Sequence, residues 1–166
     1  MVLPHTGEQD ADQPAFPPGA GPAYLSRMIL GIGIDLVSVP RVQLLRERRG
    51  MRGLERLLTP RELGHCLAQA AAGPSLAARV AAKEAYYKAI GTGVGRHGGW
   101  RDVEVARREN GRPLLILHGA AARHARERGV QRVHLAITHA GDMAAATVTL
   151  EGVEPSESPP SPEPGP

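Results

Sequence analysis

The sequence has few aromatic residues, one cysteine and no long apolar run. Phe, Trp and Tyr make up 3% of its 166 residues, so the core must consist mainly of Ala, Val, Leu and Ile, within an apolar fraction of 42%. The lone Cys66 excludes an internal disulfide bond and is compatible with a reducing cytoplasm. No apolar run approaches the roughly 20 residues of a membrane-spanning helix. Acidic, Pro and Gly residues stand where a secretory signal would be basic and then apolar. We therefore expect a cytoplasmic protein of one domain with no membrane segment.

Both ends of the chain lack the periodic apolar residues of a fold. Residues 1–27 contain five prolines, and residues 152–166 contain six prolines and three glutamates but no basic residue. We expect both to be disordered extensions of one domain, residues 28–151. That domain carries 19 Lys and Arg against 11 Asp and Glu, so its net charge is +8, whereas the whole chain has +3. A basic domain favours an acidic protein, a phosphorylated ligand or nucleic acid as its partner.

The segment Ser75–Gly91, SLAARVAAKEAYYKAIG, is predicted to be the central helix. Apolar and small residues recur every three or four positions, Pro74 and Ser75 favour a helix start, and Gly91 favours its end. One line along this helix consists of two alanines followed by a carboxylate and an ammonium group: Ala77, Ala81, Glu84 and Lys88. Glu84 and Lys88 also have the spacing of an ordinary surface ion pair, and the helix alone does not decide between that role and a functional one.

The segment Met28–Val37, MILGIGIDLV, is predicted to be a buried strand. Alternation places Ile29, Gly31, Gly33 and Asp35 on one face, and Leu30, Ile32, Ile34 and Leu36 on the other. The bare glycine face allows another element to come close, and we expect the side of the central helix with Ala77 and Ala81 to pack there. Asp35 would then lie near Glu84, and two neighbouring carboxylates require a shared proton or a cation. A dinucleotide-binding fingerprint is disfavoured because the third glycine is absent and no βαβ alternation follows.

Two further helices are predicted between this strand and the central helix. Ser38 as N-cap and Pro40 in the first turn begin the first, which extends to about Arg56. It carries a series of arginines that form either a solvated face or a docking surface for an acidic partner: Arg41, Arg46, Arg48, Arg49, Arg52 and Arg56. The segment Thr59-Pro60-Arg61-Glu62 is a capping box that begins the second helix, over residues 60–71. His65 and Cys66 within it are interpreted as structural.

Two hairpins are predicted in the C-terminal half. Strands over residues 102–106 and 113–118 are joined through Asn110-Gly111, and strands over 133–138 and 143–151 are joined through the sequence HAGD. A short helix over residues 120–128 lies between the hairpins. These elements predict an α+β fold, in which a small, mostly antiparallel sheet packs against one long central helix and shorter helices.

Two polar features of this half have more than one interpretation. The glycine-rich segment 91–99 is either a flexible connection or a phosphate-binding loop assisted by Arg96 and His97. His139 follows the end of a strand, where a histidine is usually a surface or capping residue. No second histidine has a zinc-ligand spacing to it, which disfavours a zinc site.

Three segments together resemble the two signature motifs and the terminal motif of the 4'-phosphopantetheinyl transferases, in particular the short bacterial type. They are GIGIDLVSVPRV, with Arg41 six residues after Asp35, then RVAAKEAYYKAIGTGVG, and AITH. The resemblance covers about residues 28–151 and includes the segments LTPREL and NGRP. The paired motifs, in this order and at this separation, are much more specific than any one of them.

The resemblance implies transfer of the 4'-phosphopantetheine of coenzyme A to a serine of an apo acyl carrier protein, with release of adenosine 3',5'-bisphosphate. It implies that Asp35 and Glu84 bind Mg²⁺, which typically takes one or two carboxylates together with water and substrate phosphate. Glu84 and Lys88 are the implied catalytic residues. The general base stays open between Lys88, Glu84 and a water molecule on the metal.

The resemblance also implies binding roles and an assembly. Coenzyme A phosphates would contact His139, and also Arg79, Lys83 and Lys88. The acidic carrier protein, of fatty-acid or polyketide synthesis, would dock near Arg41 and Arg48, since arginine pairs bidentately with carboxylates. The short members of the family are homotrimers with coenzyme A sites between subunits.

This sequence departs from the family at three positions and leaves two rival functions to weigh. Ala78, Val80 and Ala136 stand where many members have glycine, an aromatic residue and serine, respectively, and these changes affect packing and the nucleotide pocket, not the metal pair. A basic module for nucleic acid would need stacking aromatics, but the domain has only Trp100, Tyr86 and Tyr87. A magnesium-dependent phosphohydrolase would also be consistent with two carboxylates.

Overall fold

The computed structural model describes residues 28–153, so both predicted extensions lie outside the described residues, apart from Gly152 and Val153. In chain order the elements are β1 (Met28–Ser38), α1 (Val39–Glu55), α2 (Pro60–Leu67), α3 (Ala72–Ala89), a 3₁₀ turn (Trp100–Asp102), β2 (Val103–Arg107), β3 (Pro113–Leu117), α4 (Gly119–Glu127), β4 (Val130–Ala140) and β5 (Met143–Gly152). The predicted α+β class is confirmed.

The strands form two antiparallel sheets beside the central helix α3. One sheet has the strand order β1-β5-β4, and the other is the β2-β3 hairpin. Helix α3 contacts β1, β5, β4, β2, α1 and α2, so it is the element that the rest of the fold surrounds. Because its buried surface is rich in alanine, the surrounding backbones lie close to it.

Local capping determines where α1 and α2 begin. The hydroxyl of Ser38 accepts a hydrogen bond from the Arg41 amide at the start of α1. At α2, Thr59 accepts from the Glu62 amide, and the Glu62 carboxylate accepts from the Thr59 amide at 2.8 Å, which is the predicted capping box. Helix α1 is kinked at Gly50, whose φ of 58° suits glycine and few other residues.

The boundary between α2 and α3 differs from the prediction. Helix α2 ends at Leu67 rather than residue 71, and α3 begins at Ala72, three residues before Ser75. Pro74 therefore lies inside the first turn of α3. A proline is tolerated there because the first amides of a helix have no intrahelical acceptor.

The glycine face of β1 packs against α3 at a different turn from the predicted one. A Cβ added at Gly31 would overlap the carbonyl of Ala89, and one added at Gly33 would overlap the carbonyl of Ala85. The expectation that Ala77 and Ala81 meet the glycines was wrong. All four alanines recur every four residues on the helix, so the sequence spacing could not select among them.

The opposite face of β1 is apolar and exposed. The pairing of β1 with β5 shifts between Ile29 and Gly31, so Leu30 packs against the core, although it was predicted on the outer face. Ile29 was predicted on the glycine face but is 61% exposed. Ile32 is 63% exposed, Ile34 64% and Leu36 62%. Within residues 28–153, no helix has the length and hydropathy to cross a bilayer.

Candidate active site

A cleft of about 520 Å³ lies where β1, α1, α3 and the Trp100 turn meet. Asp35 at the end of β1 and Glu84 on α3 both line it, together with Arg41 and Arg48 of α1. Its remaining wall is largely apolar and includes Leu36, Leu44, Leu45, Leu57, Val80 and Trp100. The structure thus brings the two predicted carboxylates to one cleft, although 48 residues separate them in the sequence.

The two carboxylates influence each other electrostatically. Burial raises the pKa of Glu84, the negative charge of Asp35 raises it further, and Lys88 and Arg41 act in the opposite direction. A cation between the carboxylates would remove this repulsion. Among residues 28–153, no three His, Cys, Asp or Glu side chains come together as a metal site. Two carboxylates alone are a donor set that fits Mg²⁺, whose other positions go to water and phosphate, and not a structural zinc ion.

Lys88, one turn after Glu84 on α3, contacts Asp35. Its ammonium group donates to Asp35 Oδ1 at 2.8 Å and to the Ile34 carbonyl at 3.1 Å. These contacts with Asp35 raise the pKa of Lys88, and the side chain is 54% exposed. Asp35, Glu84 and Lys88 therefore form one cluster, as the sequence motifs predicted.

Lys83, another of the predicted polar residues on α3, lies elsewhere. Its ammonium group is fully buried and donates to Glu62 at 2.7 Å, to the Leu57 carbonyl at 2.8 Å and to the Trp100 carbonyl at 2.9 Å. An ammonium group has three donors, and all three are used within the protein. The structure therefore does not place Lys83 with the predicted coenzyme A ligands. It ties α3 to two segments that line the cleft.

Arg79 and His139 line a second cleft of about 500 Å³ at the N-terminus of α3. Arg79 is 4% exposed and donates from Nη1 to the hydroxyl of Ser75 at 2.8 Å, and its Nε is buried without a hydrogen bond among the described residues. Ala71 at the N-cap supplies no side-chain acceptor to the first amides of α3. A buried guanidinium with a free donor beside an uncapped helix N-terminus is suited to bind an anion such as phosphate.

The second cleft also contains residues that sequence analysis missed. Ser75, Arg107 and Pro113 line it, and Ile137 lies two residues before His139 on β4. The NGRP segment was a signal for Pro113, but nothing in the sequence indicated that the β2-β3 hairpin would face the start of α3. Neither Asp35 nor Glu84 is among the residues that line this cleft, so the predicted ligands are divided between two sites.

The glycine-rich segment 91–99 is anchored at its C-terminal end. The hydroxyl of Tyr87 donates to the Gly99 carbonyl at 2.8 Å, and the ring of His97 stacks on that of His124 with centroids 4.0 Å apart. The His97 ring therefore packs against α4 through His124. The phosphate-binding interpretation of this segment stays a prediction.

Comparison with known proteins identifies the family of this chain. The family model of the 4'-phosphopantetheinyl transferase superfamily matches residues 31–148. A holo-[acyl-carrier-protein] synthase of Koribacter versatilis is 48% identical over 124 residues, which cover 75% of this chain and 99% of that protein. The crystal structure of the Neisseria meningitidis synthase superposes with a TM-score of 0.70 at 34% identity, covering 74% of this chain and 98% of the other. The Helicobacter pylori synthase, crystallised in complex with coenzyme A, gives a TM-score of 0.64 at 30% identity and covers 72% and 98%.

The fold and the site define a transferase of the phosphopantetheinyl class. The chain belongs to the 4'-phosphopantetheinyl transferase superfamily and, within it, to the holo-[acyl-carrier-protein] synthases.

Proposed function

We propose that this chain transfers the 4'-phosphopantetheine of coenzyme A to a serine of an apo acyl carrier protein, with Mg²⁺, and releases adenosine 3',5'-bisphosphate. The observation that carries the proposal is that Asp35 and Glu84 line one cleft, and that the Lys88 ammonium group contacts Asp35. The proposal is also supported by relatives of this chain that are named holo-[acyl-carrier-protein] synthases, among them the Helicobacter pylori protein crystallised in complex with coenzyme A.

Asp35 and Glu84 would hold the magnesium ion. When bound, the ion would neutralise charge on the diphosphate of coenzyme A. Glu84 supports this role because its raised pKa reports an unfavourable negative charge that a cation would compensate. Lys88 would contribute a positive charge to the phosphate, because its contact with Asp35 raises its pKa and keeps it protonated. Glu84 would be the acceptor for the proton of the serine hydroxyl.

Arg79 and His139 would bind a phosphate group of coenzyme A in the second cleft. Arg79 offers its unused Nε, and the uncapped start of α3 adds backbone donors. Arg107 in the same cleft adds a further positive charge. Lys83 is not part of this proposal because its donors are already used.

The carrier protein would dock on α1, where Arg41 and Arg48 line the rim of the first cleft. Both arginine side chains are exposed, and they can pair with carboxylates of an acidic partner. The apolar residues beside them, Leu44 and Leu45, would cover an apolar side chain of the same partner. We propose fatty-acid synthesis in the cytoplasm as the setting, which the single cysteine of the chain permits.

We propose a homotrimer as the active assembly, for two reasons. First, one copy divides the predicted ligands between separate clefts, and a neighbouring copy could bring the second cleft of one chain to the first cleft of another. Second, the exposed face of the β1-β5-β4 sheet is apolar along β1. Ile29, Ile32, Ile34 and Leu36 are each more than 60% exposed there. Burial of an isoleucine side chain contributes about 1.5–3 kcal/mol, so this face favours association.

Mass spectrometry of an apo acyl carrier protein, incubated with coenzyme A, Mg²⁺ and this chain, tests the proposal. A phosphopantetheine adduct on the carrier protein, lost with Asp35→Ala and Glu84→Ala but kept with Glu109→Ala, is the expected result. Glu109 is an exposed carboxylate outside both clefts and serves as the control. Release of free phosphate without an adduct would instead indicate a phosphohydrolase. Retention of RNA without either reaction would indicate a nucleic-acid module.

A further inference from the structure

The ion pair between Lys88 and Asp35 uses the same carboxylate that the proposed function assigns to the metal. Lys88 Nζ lies 2.8 Å from Asp35 Oδ1 and 3.1 Å from the Ile34 carbonyl oxygen. Both acceptors belong to β1, at the edge of the first cleft. The ammonium group thus occupies the coordination space on one side of Asp35.

A divalent cation on Asp35 and an ammonium group at 2.8 Å from the same carboxylate repel each other strongly. The Lys88 contact is with Oδ1, and a carboxylate has a second oxygen, so the conflict between the two cations is electrostatic. The repulsion is relieved when one of the two cations gives up its contact.

Lys88 is the partner that can move at low cost. Its side chain is 54% exposed, whereas that of Asp35 is 15% exposed. A long lysine stem lets the charged head leave one acceptor while the stem stays on its helix. Glu84 lies one turn away on the same face of α3, so a displaced ammonium group can stay near Glu84.

We propose that Lys88 and the divalent cation compete for Asp35, so that binding of the cation releases the Lys88 ammonium group toward the phosphates of the substrate. This inference rests on the proposed metal role of Asp35 and Glu84. It adds that Lys88 weakens binding of the metal alone and becomes available to substrate only when the metal is in place. The coupling is reciprocal. The factor by which Lys88 weakens binding of the metal equals the factor by which the metal weakens the contact between Lys88 and Asp35.

The test measures binding of Mn²⁺ to the full chain without coenzyme A or carrier protein, by electron paramagnetic resonance of the free ion. Lys88→Met is expected to bind Mn²⁺ about twofold to fivefold more tightly than the wild type, the range that corresponds to one exposed ion pair. Lys88→Arg should bind like the wild type, because a guanidinium group also pairs with Asp35. Arg41→Met removes a positive charge from the same cleft without a contact to Asp35, and it should change binding less than Lys88→Met.

Two results separate this inference from the proposed function. Mn²⁺ binding that is lost in Glu84→Ala, together with a Lys88→Met affinity equal to or weaker than the wild type, overturns the competition and leaves the metal site intact. Mn²⁺ binding that is unchanged in Glu84→Ala overturns the metal site and the competition with it. A crystal structure with Mn²⁺ provides an independent readout, in which Lys88 Nζ should lie beyond the ion-pair limit of about 4 Å from Asp35.

Discussion

Lys83 and Glu62 form an ion pair with an N–O distance of 2.7 Å, and both side chains are fully buried. The second oxygen of Glu62 accepts from the Val105 amide, and Lys83 also donates to the Leu57 and Trp100 carbonyls. This pair therefore joins α2, α3, β2 and the two segments that line the first cleft. Burial lowers the pKa of Lys83, and the charge of Glu62 opposes that change.

Removal of one member of this pair should destabilise the fold. Lys83→Met leaves the Glu62 carboxylate buried without its cation, which costs about 3 kcal/mol of unfolding free energy. Urea denaturation followed by circular dichroism measures the change. Lys88→Met is the matched control, because it makes the same chemical change at an exposed lysine of the same helix and should hardly move the denaturation midpoint. A stability close to wild type for Lys83→Met would show that the buried pair is not a structural anchor.

Neutralising Glu84 should stabilise the protein while abolishing transfer. The folded-state pKa of Glu84 is raised, so its favourable contribution is present below the unfolded pKa near 4.5 and is lost as the pH rises through the folded pKa. At pH 7 without metal, Glu84→Gln should therefore melt at a higher temperature than the wild type, and the difference should disappear near pH 4. Thermal melts across this pH range test whether Glu84→Gln raises the melting temperature. Glu47→Gln, at an exposed glutamate, is the control. A lower melting temperature for Glu84→Gln at pH 7 would contradict it.

Charge reversal at Arg41 should affect the carrier protein more than coenzyme A. Arg41→Glu places a negative charge on the rim where we propose that the acidic partner docks, so the KM for the carrier protein should rise about tenfold or more. The KM for coenzyme A should change much less. Arg126→Glu, at an exposed site on α4, is the control and should leave both values unchanged. Equal increases in both KM values for Arg41→Glu would argue against docking on α1.

A charge on the outer face of β1 should break the proposed trimer. Ile34 is 64% exposed in one copy, and Ile34→Glu would bury a carboxylate if this face packs against another copy. Sedimentation velocity should show monomers, and transfer activity should fall because the two clefts no longer meet. Leu67→Glu on α2 introduces the same charge at an apolar residue that is 39% exposed and should keep the trimer. An unchanged sedimentation coefficient for Ile34→Glu would exclude this face as the interface.

The local elements and the motif residues follow from the sequence by itself. The capping box at Thr59 and Glu62, the Ser38 cap and the alternation along β1 after Gly31 are short-range patterns, and each appears in the structure close to where it was predicted. The cluster of Asp35, Glu84 and Lys88 was predictable from the resemblance to the family, whose two signature motifs carry its members.

Only the tertiary structure decided which groups meet. Ala85 and Ala89, not Ala77 and Ala81, pack on the glycines of β1, because an alanine repeat of four offers several equivalent registers and the shape of the whole core selects one. Lys83 is next to Glu84 in the sequence, but its side chain points from α3 toward Glu62 and lines neither cleft. The division of the predicted ligands between two clefts has the same origin, since contacts between distant segments depend on packing energies that no local pattern contains.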